Sequence, residues 1–301
     1  MSPFAVTALM FVSMLALMGT GLPIVYCLGS VGTLSAFFLW GEGALDVVYF
    51  ATLELMNNRV LMAVPLFIFM GFVLHESRIA RDLFDTVYIW SGRMRGALGI
   101  GTVLICALMA AMLGVSSATV LSMGAIAVPA MLARHYNKSL AVGIVQAGGA
   151  LGFLIPPSLM MIMYSFLTGV SVGKLFAAGI IPGLLLALFY IIYIAVLSWL
   201  KPNTAPALKE DELAPFDVKM KSLVSLALPL LLILSVLLCI FMGITSPTEA
   251  AAIGAGGAVV CAAIKGRLSM AMMREACSRT FAISGFAGFL IIAALIFSKV
   301  Y

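Results

Sequence analysis

The sequence predicts an all-α polytopic membrane protein, and three observations point to that fold class. Hydrophobic residues make up 63% of the 301 residues and charged residues only 10%, whereas soluble domains have roughly 45–50% and about 25%. The hydrophobic residues form runs near the length of about 20 residues that a membrane-spanning helix needs. Two of these runs are interrupted by glycine, proline and hydroxyl residues, at 114–119 and 152–158. The composition excludes a soluble domain, and the interruptions predict helices that break inside the membrane.

The elements before the first interruption alternate between apolar and more polar segments. Residues 4–40 predict two helices or one broken helix, and 59–74 predict a membrane span. The segments 42–58 and 75–96 are more polar and predict interfacial elements. In 75–96 the apolar side chains recur at helical spacing on one face, as in a helix that lies in the membrane interface.

Residues 97–136 predict a re-entrant helical hairpin with its tip at 114–119. Each limb has roughly 14 to 17 residues, which is short for a complete crossing. The flanking segments are basic on both sides, so both ends of the hairpin are predicted on the same membrane face. Two full spans around a tip loop would give the same sides. Limb length and the polar tip favour the hairpin.

The second interruption predicts a broken helix over 139–170. A further span is predicted over 175–200, and the segment 1–201 then forms the first of two repeats. A weak internal similarity supports the repeat, because span, amphipathic helix and apolar segment occur in that order at 59–113 and again at 250–301.

The rest of the chain is predicted as a linker and the start of a second, inverted repeat, within one membrane domain of 1–301. Residues 202–221 are polar and predict a cytoplasmic linker. The second repeat begins at 222 and is expected to be incomplete at 301. Its predicted elements are spans at 222–243, 250–264 and 281–301 and an amphipathic stretch at 265–280.

Basic residues are concentrated beside the spans. Fourteen of the 17 Lys and Arg residues lie in 76–95, 134–138, 201–221 and 265–279, and an alternating assignment places all four segments in the cytoplasm. Anchoring at the membrane edge explains the net charge of +5, so the bilayer is the predicted partner and no nucleic acid is. The five cysteines lie inside apolar runs without a C-x-x-C pair, which indicates neither disulfides nor a metal centre.

The two interruptions together predict a cation site. Helix ends leave four backbone carbonyls without partners, and Pro156 and Pro157 remove two amide donors. Ends of broken helices offer such oxygens to Na⁺ without a carboxylate. The predicted Na⁺ ligands are a hydroxyl and three backbone carbonyls: Ser116 or Ser117, with Gly152, Ile155 and Pro157. The alternative is a pair of kinks whose polar groups neighbouring helices satisfy.

A solute pocket is predicted beside the cation, and its candidate residues come from the same two interruptions. They are Gly114, Ala118, Thr119, Pro156 and Ser158. No catalytic residue is predicted, because an intramembrane serine enzyme would need a His or Lys within a span to activate the hydroxyl. Apart from Na⁺ as coupling ion, neither a cofactor nor a metal is predicted.

Five motifs resemble the large membrane subunit of tripartite ATP-independent periplasmic (TRAP) transporters. They follow the family's order over nearly the whole chain, at 64–71 (VPLFIFMG), 114–119 (GVSSAT), 152–158 (GFLIPPS), 178–183 (AGIIPG) and 243–250 (GITSPTEA). The resemblance implies an ion-transporter-like elevator fold and Na⁺-coupled transport of organic acids such as C4-dicarboxylates or sialic acid. It also implies a bacterial inner-membrane location, with a small membrane subunit of the Q type and a periplasmic substrate-binding protein as partners.

The resemblance is to proteins that continue beyond the end of this sequence with a second hairpin and a second Na⁺ site. The chain is therefore expected to be C-terminally truncated. The alternative function is a non-transporting remnant or a membrane scaffold subunit.

Overall fold

The structure, a computed structural model, describes residues 3–90, 94–207 and 216–300 and contains no strand within those ranges. This confirms the predicted all-α class. The described helices are α1 (Pro3–Gly19), α2 (Ile24–Trp40), α3 (Ala44–Met56), α4 (Ala63–Glu76), α5 (Ile79–Trp90), α6 (Ala97–Leu113), α7 (Ser116–Leu132), α8 (Lys138–Ala150), α9 (Leu159–Thr168), α10 (Val172–Leu200), α11 (Phe216–Phe241), α12 (Pro247–Ile264) and α13 (Met270–Val300), with short 3₁₀ turns at Gly41–Gly43 and Leu151–Phe153.

The chain divides into two compact units. The first comprises residues up to Arg59 together with those from Phe281 onwards. In it α1 packs against α2, and Met10, Val31 and Phe297 belong to a shared apolar core. The predicted 4–40 region is therefore two helices, because the chain turns at 20–23 between them.

The second unit comprises residues 60–280. In it α4 packs along α12, and α8 packs along both α6 and α7. Helix α5 is bent by 60° from α4, and it is amphipathic as predicted from the spacing in 75–96. These contacts surround the two interrupted segments with apolar helices.

Three of the described helices are long and apolar enough to cross a membrane, namely α10, α12 and α13. The bent pair α4 and α5 adds a fourth if it counts as one span. The two limbs of the predicted hairpin are shorter, with 17 residues in each of α6 and α7. At 1.5 Å per residue each limb is about 26 Å long.

The second half of the chain differs from its prediction in two places. Helix α13 is continuous from Met270 to Val300, where a separate amphipathic stretch and a span were predicted, because no glycine or proline lies between 267 and 284 to break it. In the predicted linker, 216–221 already belongs to α11, and 208–215 lies outside the described residues.

Candidate ion and solute site

The hairpin tip is a tight turn between two helices. Helix α6 ends at Leu113 and α7 begins at Ser116, so the interruption predicted over 114–119 is only two residues long. Gly114 has a φ of 62°, in the left-handed region, and its N–H donates to the Ala110 carbonyl at 2.9 Å. Val115 is extended, with a φ of −128°. The three hydroxyl residues after it form the first turn of α7, where such residues are common.

Both ends of the hairpin meet the segment that follows α10. The N–H of Gly96, just before α6, donates to the Ala205 carbonyl at 3.0 Å, and the N–H of Asn137, just after α7, donates to the Thr204 carbonyl at 2.9 Å. The bases of the two limbs therefore lie side by side, at the level where α10 ends. Such a return is what a re-entrant segment needs, and the membrane placement of the hairpin stays a prediction.

The second interruption separates α8 from α9. Helix α8 ends at Ala150, and the chain is not α-helical again until Leu159. The Ile155 N–H donates to the Leu151 carbonyl at 2.8 Å, and the Ser158 hydroxyl donates to the Phe153 carbonyl at 3.0 Å. Within the described part of the chain, no donor lies within hydrogen-bond distance of the carbonyl oxygens of Ile155 and Pro157.

The tip and the break are in direct contact. The Leu159 N–H, at the start of α9, donates to the Gly114 carbonyl at 3.1 Å. A Cβ on Gly114 would lie 2.8 Å from the Pro157 carbonyl oxygen, and a Cβ on Gly152 would lie 3.3 Å from the backbone N of Ser116. Glycine at 114 and 152 therefore permits backbone-to-backbone approach that a side chain would prevent.

The break lies alongside the middle part of α10. A Cβ on Gly183 would lie 2.8 Å from Cγ1 of Ile155. Gly183 lies about 17 Å from the start of α10 and about 26 Å from its end, at 1.5 Å per residue. Next to the break is a cavity of about 270 Å³, which Pro156 and apolar side chains of α6, α10 and α11 line.

The candidate residues differ in how they face this contact. Ser116 is 8% exposed, and its hydroxyl makes no hydrogen bond to any described residue. Ser117 is exposed and Ala118 is half-buried. The Thr119 hydroxyl donates to the Val115 carbonyl at 3.3 Å, within its own helix. Of the two predicted serine ligands, Ser116 therefore lies against the break.

Four helix ends converge on the contact, and their polarities differ. The carboxyl ends of α6 and α8 bring backbone carbonyls, whereas the amino ends of α7 and α9 bring amides. Carbonyl ends carry partial negative charge and amide ends partial positive charge. The arrangement can therefore offer carbonyl oxygens to a cation and amides to a carboxylate. Among the described residues, no group of His, Cys, Asp and Glu side chains could hold a metal ion.

One polar contact beside the hairpin was not anticipated from the sequence. His75, at the end of α4, lies with Nε2 2.7 Å from the Ser122 hydroxyl of α7 and with Nδ1 3.2 Å from Glu76. Glu76 also pairs with Arg279 at 3.4 Å. The sequence placed His75 in a charged interfacial flank. Its partner is 47 residues away, and no local spacing signals a contact over that distance.

Comparisons with known proteins identify the family of the chain. The family model described as "Tripartite ATP-independent periplasmic transporter, DctM component" matches residues 11–301. The chain is 34% identical over 250 residues to a C4-dicarboxylate TRAP transporter large permease protein of Vibrio cholerae. The aligned region covers 82% of the chain and 54% of that protein. It is 38% identical over 202 residues to the protein of the same description in Pseudomonas aeruginosa. The aligned region there covers 67% of the chain and 46% of that protein.

A third relative is named for a different solute. The ectoine TRAP transporter large permease protein of Halomonas elongata is 31% identical over 248 residues, which covers 82% of the chain and 57% of that protein. The chain spans about half the length of the curated relatives it matches. The motifs, the helical membrane architecture and these matches agree, and the chain belongs to the DctM component family of tripartite ATP-independent periplasmic transporters, the large permease proteins.

Proposed function

We propose that this chain forms the ion- and solute-holding part of a Na⁺-coupled TRAP carrier for organic acids in the bacterial inner membrane. The family is a transport component and not an enzyme family, and the apolar helices make the chain an integral membrane protein. The observation that carries the proposal is the contact between the hairpin tip and the break, where the Leu159 amide bonds the Gly114 carbonyl at 3.1 Å.

In the proposed mechanism, Na⁺ takes the Ser116 hydroxyl and the carbonyls of Gly152, Ile155 and Pro157 as ligands. Support comes from the burial of Ser116 and from its approach to Gly152. An ion bound there would link tip and break, and it would thereby order the solute pocket beside them. Ion and solute would then favour the same conformation, which is the thermodynamic requirement for coupling.

The proposed solute is a small carboxylate. Its negative group would lie at the amino ends of α7 and α9, beside Ala118, Thr119 and Ser158, where the helix dipoles favour an anion. Relatives are named for C4-dicarboxylate and for ectoine, so these two are the first solutes to assay. The proposed partners are a small membrane subunit and a periplasmic substrate-binding protein.

The experiment is uptake of radiolabelled C4-dicarboxylate or ectoine by proteoliposomes that hold the chain and its small membrane subunit, with the binding protein added outside. We expect uptake under an inward Na⁺ gradient and none when choline replaces Na⁺. Ser116→Ala should raise the Na⁺ concentration for half-maximal uptake about tenfold, which corresponds to about 1.4 kcal/mol of lost binding free energy.

The matched control is Ser235→Ala, since Ser235 is exposed on α11 and its hydroxyl bonds only the Leu232 carbonyl of its own helix. Uptake that persists in choline would contradict Na⁺ coupling. Uptake with unchanged Na⁺ dependence in Ser116→Ala would contradict the ligand assignment while leaving transport itself intact.

A further inference from the structure

A second cavity lies between α6, α8 and α10, in the part of the molecule where both ends of the hairpin meet the end of α10. Its volume is about 670 Å³, within the range of about 300–1,000 Å³ that ligand pockets occupy. Its walls are apolar over most of their area and include Val103, Ile144 and Ile194. The proposed Na⁺ ligands are not among the residues that line it.

One end of this cavity is polar and carries positive charge. Lys201, Asn137 and Ser139 line it there, and no acidic side chain of the described residues does. The Asn137 side-chain oxygen accepts from the amides of Ser139 and Leu140 at 3.0 and 3.3 Å, so its NH₂ group faces away from that cap. Lys201 makes no ion pair with any described residue.

The apolar part of the cavity opens on the outer face of α10. Phe189 and Tyr193 line it and are 61% and 62% exposed. Trp199 is exposed beyond them, just before Lys201. Exposed aromatic side chains followed by a lysine at a helix end are typical of the membrane–water interface. This pattern predicts that the polar end lies at headgroup level and that the apolar part lies beside the acyl chains.

We infer that this cavity binds an anionic phospholipid. Its phosphate pairs with the Lys201 ammonium and accepts from the Asn137 amide, and one acyl chain lies along Val103, Ile144 and Phe189. The positive charge of Lys201 selects a negative headgroup, and the apolar walls accommodate the acyl chain. Basic pockets between membrane helices bind anionic lipid headgroups on the same physical grounds.

Gly143 makes the cavity testable by filling it. It lies on α8 in the cavity wall, and a Cβ added there would have no heavy atom within 4 Å. A leucine at 143 would therefore occupy the space of the acyl chain without displacing a neighbour. Gly124 on α7 has equally open surroundings outside the cavity, which makes Gly124→Leu the matched control.

The experiment is native mass spectrometry of the purified protein in detergent after incubation with equal amounts of phosphatidylglycerol and phosphatidylcholine of identical acyl chains. We expect about fivefold more phosphatidylglycerol than phosphatidylcholine on the protein. Lys201→Gln should abolish that preference, and Lys201→Arg should retain it. Lys174→Gln should also retain it, because Lys174 lies near the opposite end of the same helix. Gly143→Leu should lose both lipids, and Gly124→Leu should keep them.

Two further readouts leave Lys201 and Gly143 unchanged. Raising the salt concentration should remove the preference in the wild-type protein, because a single exposed ion pair is screened. A photoreactive amino acid in place of Tyr193 should cross-link lipid in cells. Equal retention of the two lipids by the wild-type protein would overturn the proposal, as would an unchanged preference in Lys201→Gln. A cross-link from position 193 to another protein would do the same, since it would show a protein occupant.

Discussion

At the scale of single residues, Asp82 shows how one carboxylate holds an amphipathic helix in place. Its oxygens accept from the Lys265 ammonium at 2.9 Å and from two nitrogens of Arg267 at 2.8 and 3.0 Å. Arg267 also donates to the Ser77 carbonyl at 2.9 Å. The cluster thereby joins the turn between α12 and α13 to the start of α5.

Asp82→Asn should destabilise the protein by about 1–3 kcal/mol, between the values for exposed pairs (about 0–1) and buried pairs (about 3–5). The reason is that Lys265 and Arg267 would then lose the carboxylate that holds both of them in a partly buried site. The measurement is the midpoint of thermal unfolding in detergent. Asp46→Asn is the control, because Asp46 is exposed on α3. Equal midpoints for the two variants would show that the cluster contributes nothing.

Local residue patterns were predictable and distant ones were not. The sequence Ser246–Pro–Thr–Glu249 predicts a helix start, and the structure has that capping box, with the Ser246 N–H donating to Glu249 at 2.7 Å. The pairing of Asp82 with Arg267 spans 185 residues. Spacing along one helix carries no information on such a pair, because the pairing depends on how α5 and the turn after α12 come together in the fold.

At the scale of helices, the packing of α8 against α7 requires a residue without a side chain at the contact. A Cβ on Gly149 would lie 3.2 Å from the backbone N of Val120 and 3.3 Å from its Cα. The nearest atom of all is Cγ2 of the Val120 side chain, and although a rotamer change could move it, no rotamer change moves the backbone N and Cα away. The close packing of α8 on the second limb of the hairpin therefore depends on glycine at 149.

Gly149→Ala should lower the stability by about 1–3 kcal/mol, the usual cost of overpacking. Gly143→Ala, on the same helix but facing open space, should be neutral or raise the stability by up to about 1 kcal/mol through helix propensity. Both are read from the thermal unfolding midpoint in detergent. If the two substitutions had the same effect, the contact with Val120 would not limit the packing.

Breaks in helices were more predictable than their surroundings. The two prolines at 156 and 157 cannot donate to a helix ladder, and the chain between Ala150 and Leu159 is accordingly not α-helical. The sequence predicts the hydroxyl residues of 116–119 as part of the tip, whereas the structure has them in the first turn of α7. Serine and threonine are common both in a turn and in the first turn of a helix. Only the packing of Gly152 against Ser116 distinguishes the two positions here.

At the scale of the whole molecule, the distribution of basic residues predicts the topology. Helix α10 has 29 residues, about 44 Å at 1.5 Å per residue, which is long enough to cross a membrane, so its two ends are predicted on opposite membrane faces. Alkaline phosphatase fused after Ser171 should be active in the periplasm, and the same enzyme fused after Asn203 should be inactive. Green fluorescent protein at both positions is the reciprocal control. Phosphatase activity at 203 would reverse the orientation.

The fold class of the whole molecule was predictable because composition alone excludes a soluble chain. The meeting of the hairpin tip with the break was inferred from two separate interruptions, whereas the hydrogen bonds that join them depend on packing that no periodicity contains. The elevator arrangement with an incomplete second repeat and the single-domain boundaries stay predictions.

The bond between the Leu159 amide and the Gly114 carbonyl joins two main-chain groups. Every residue except proline supplies an amide at position 159, so this joint depends on the backbone and on glycine at 114, and not on the side chain of Leu159. The other side chains of the two segments can therefore change without loss of this bond, so a single backbone arrangement can present different chemical groups around it.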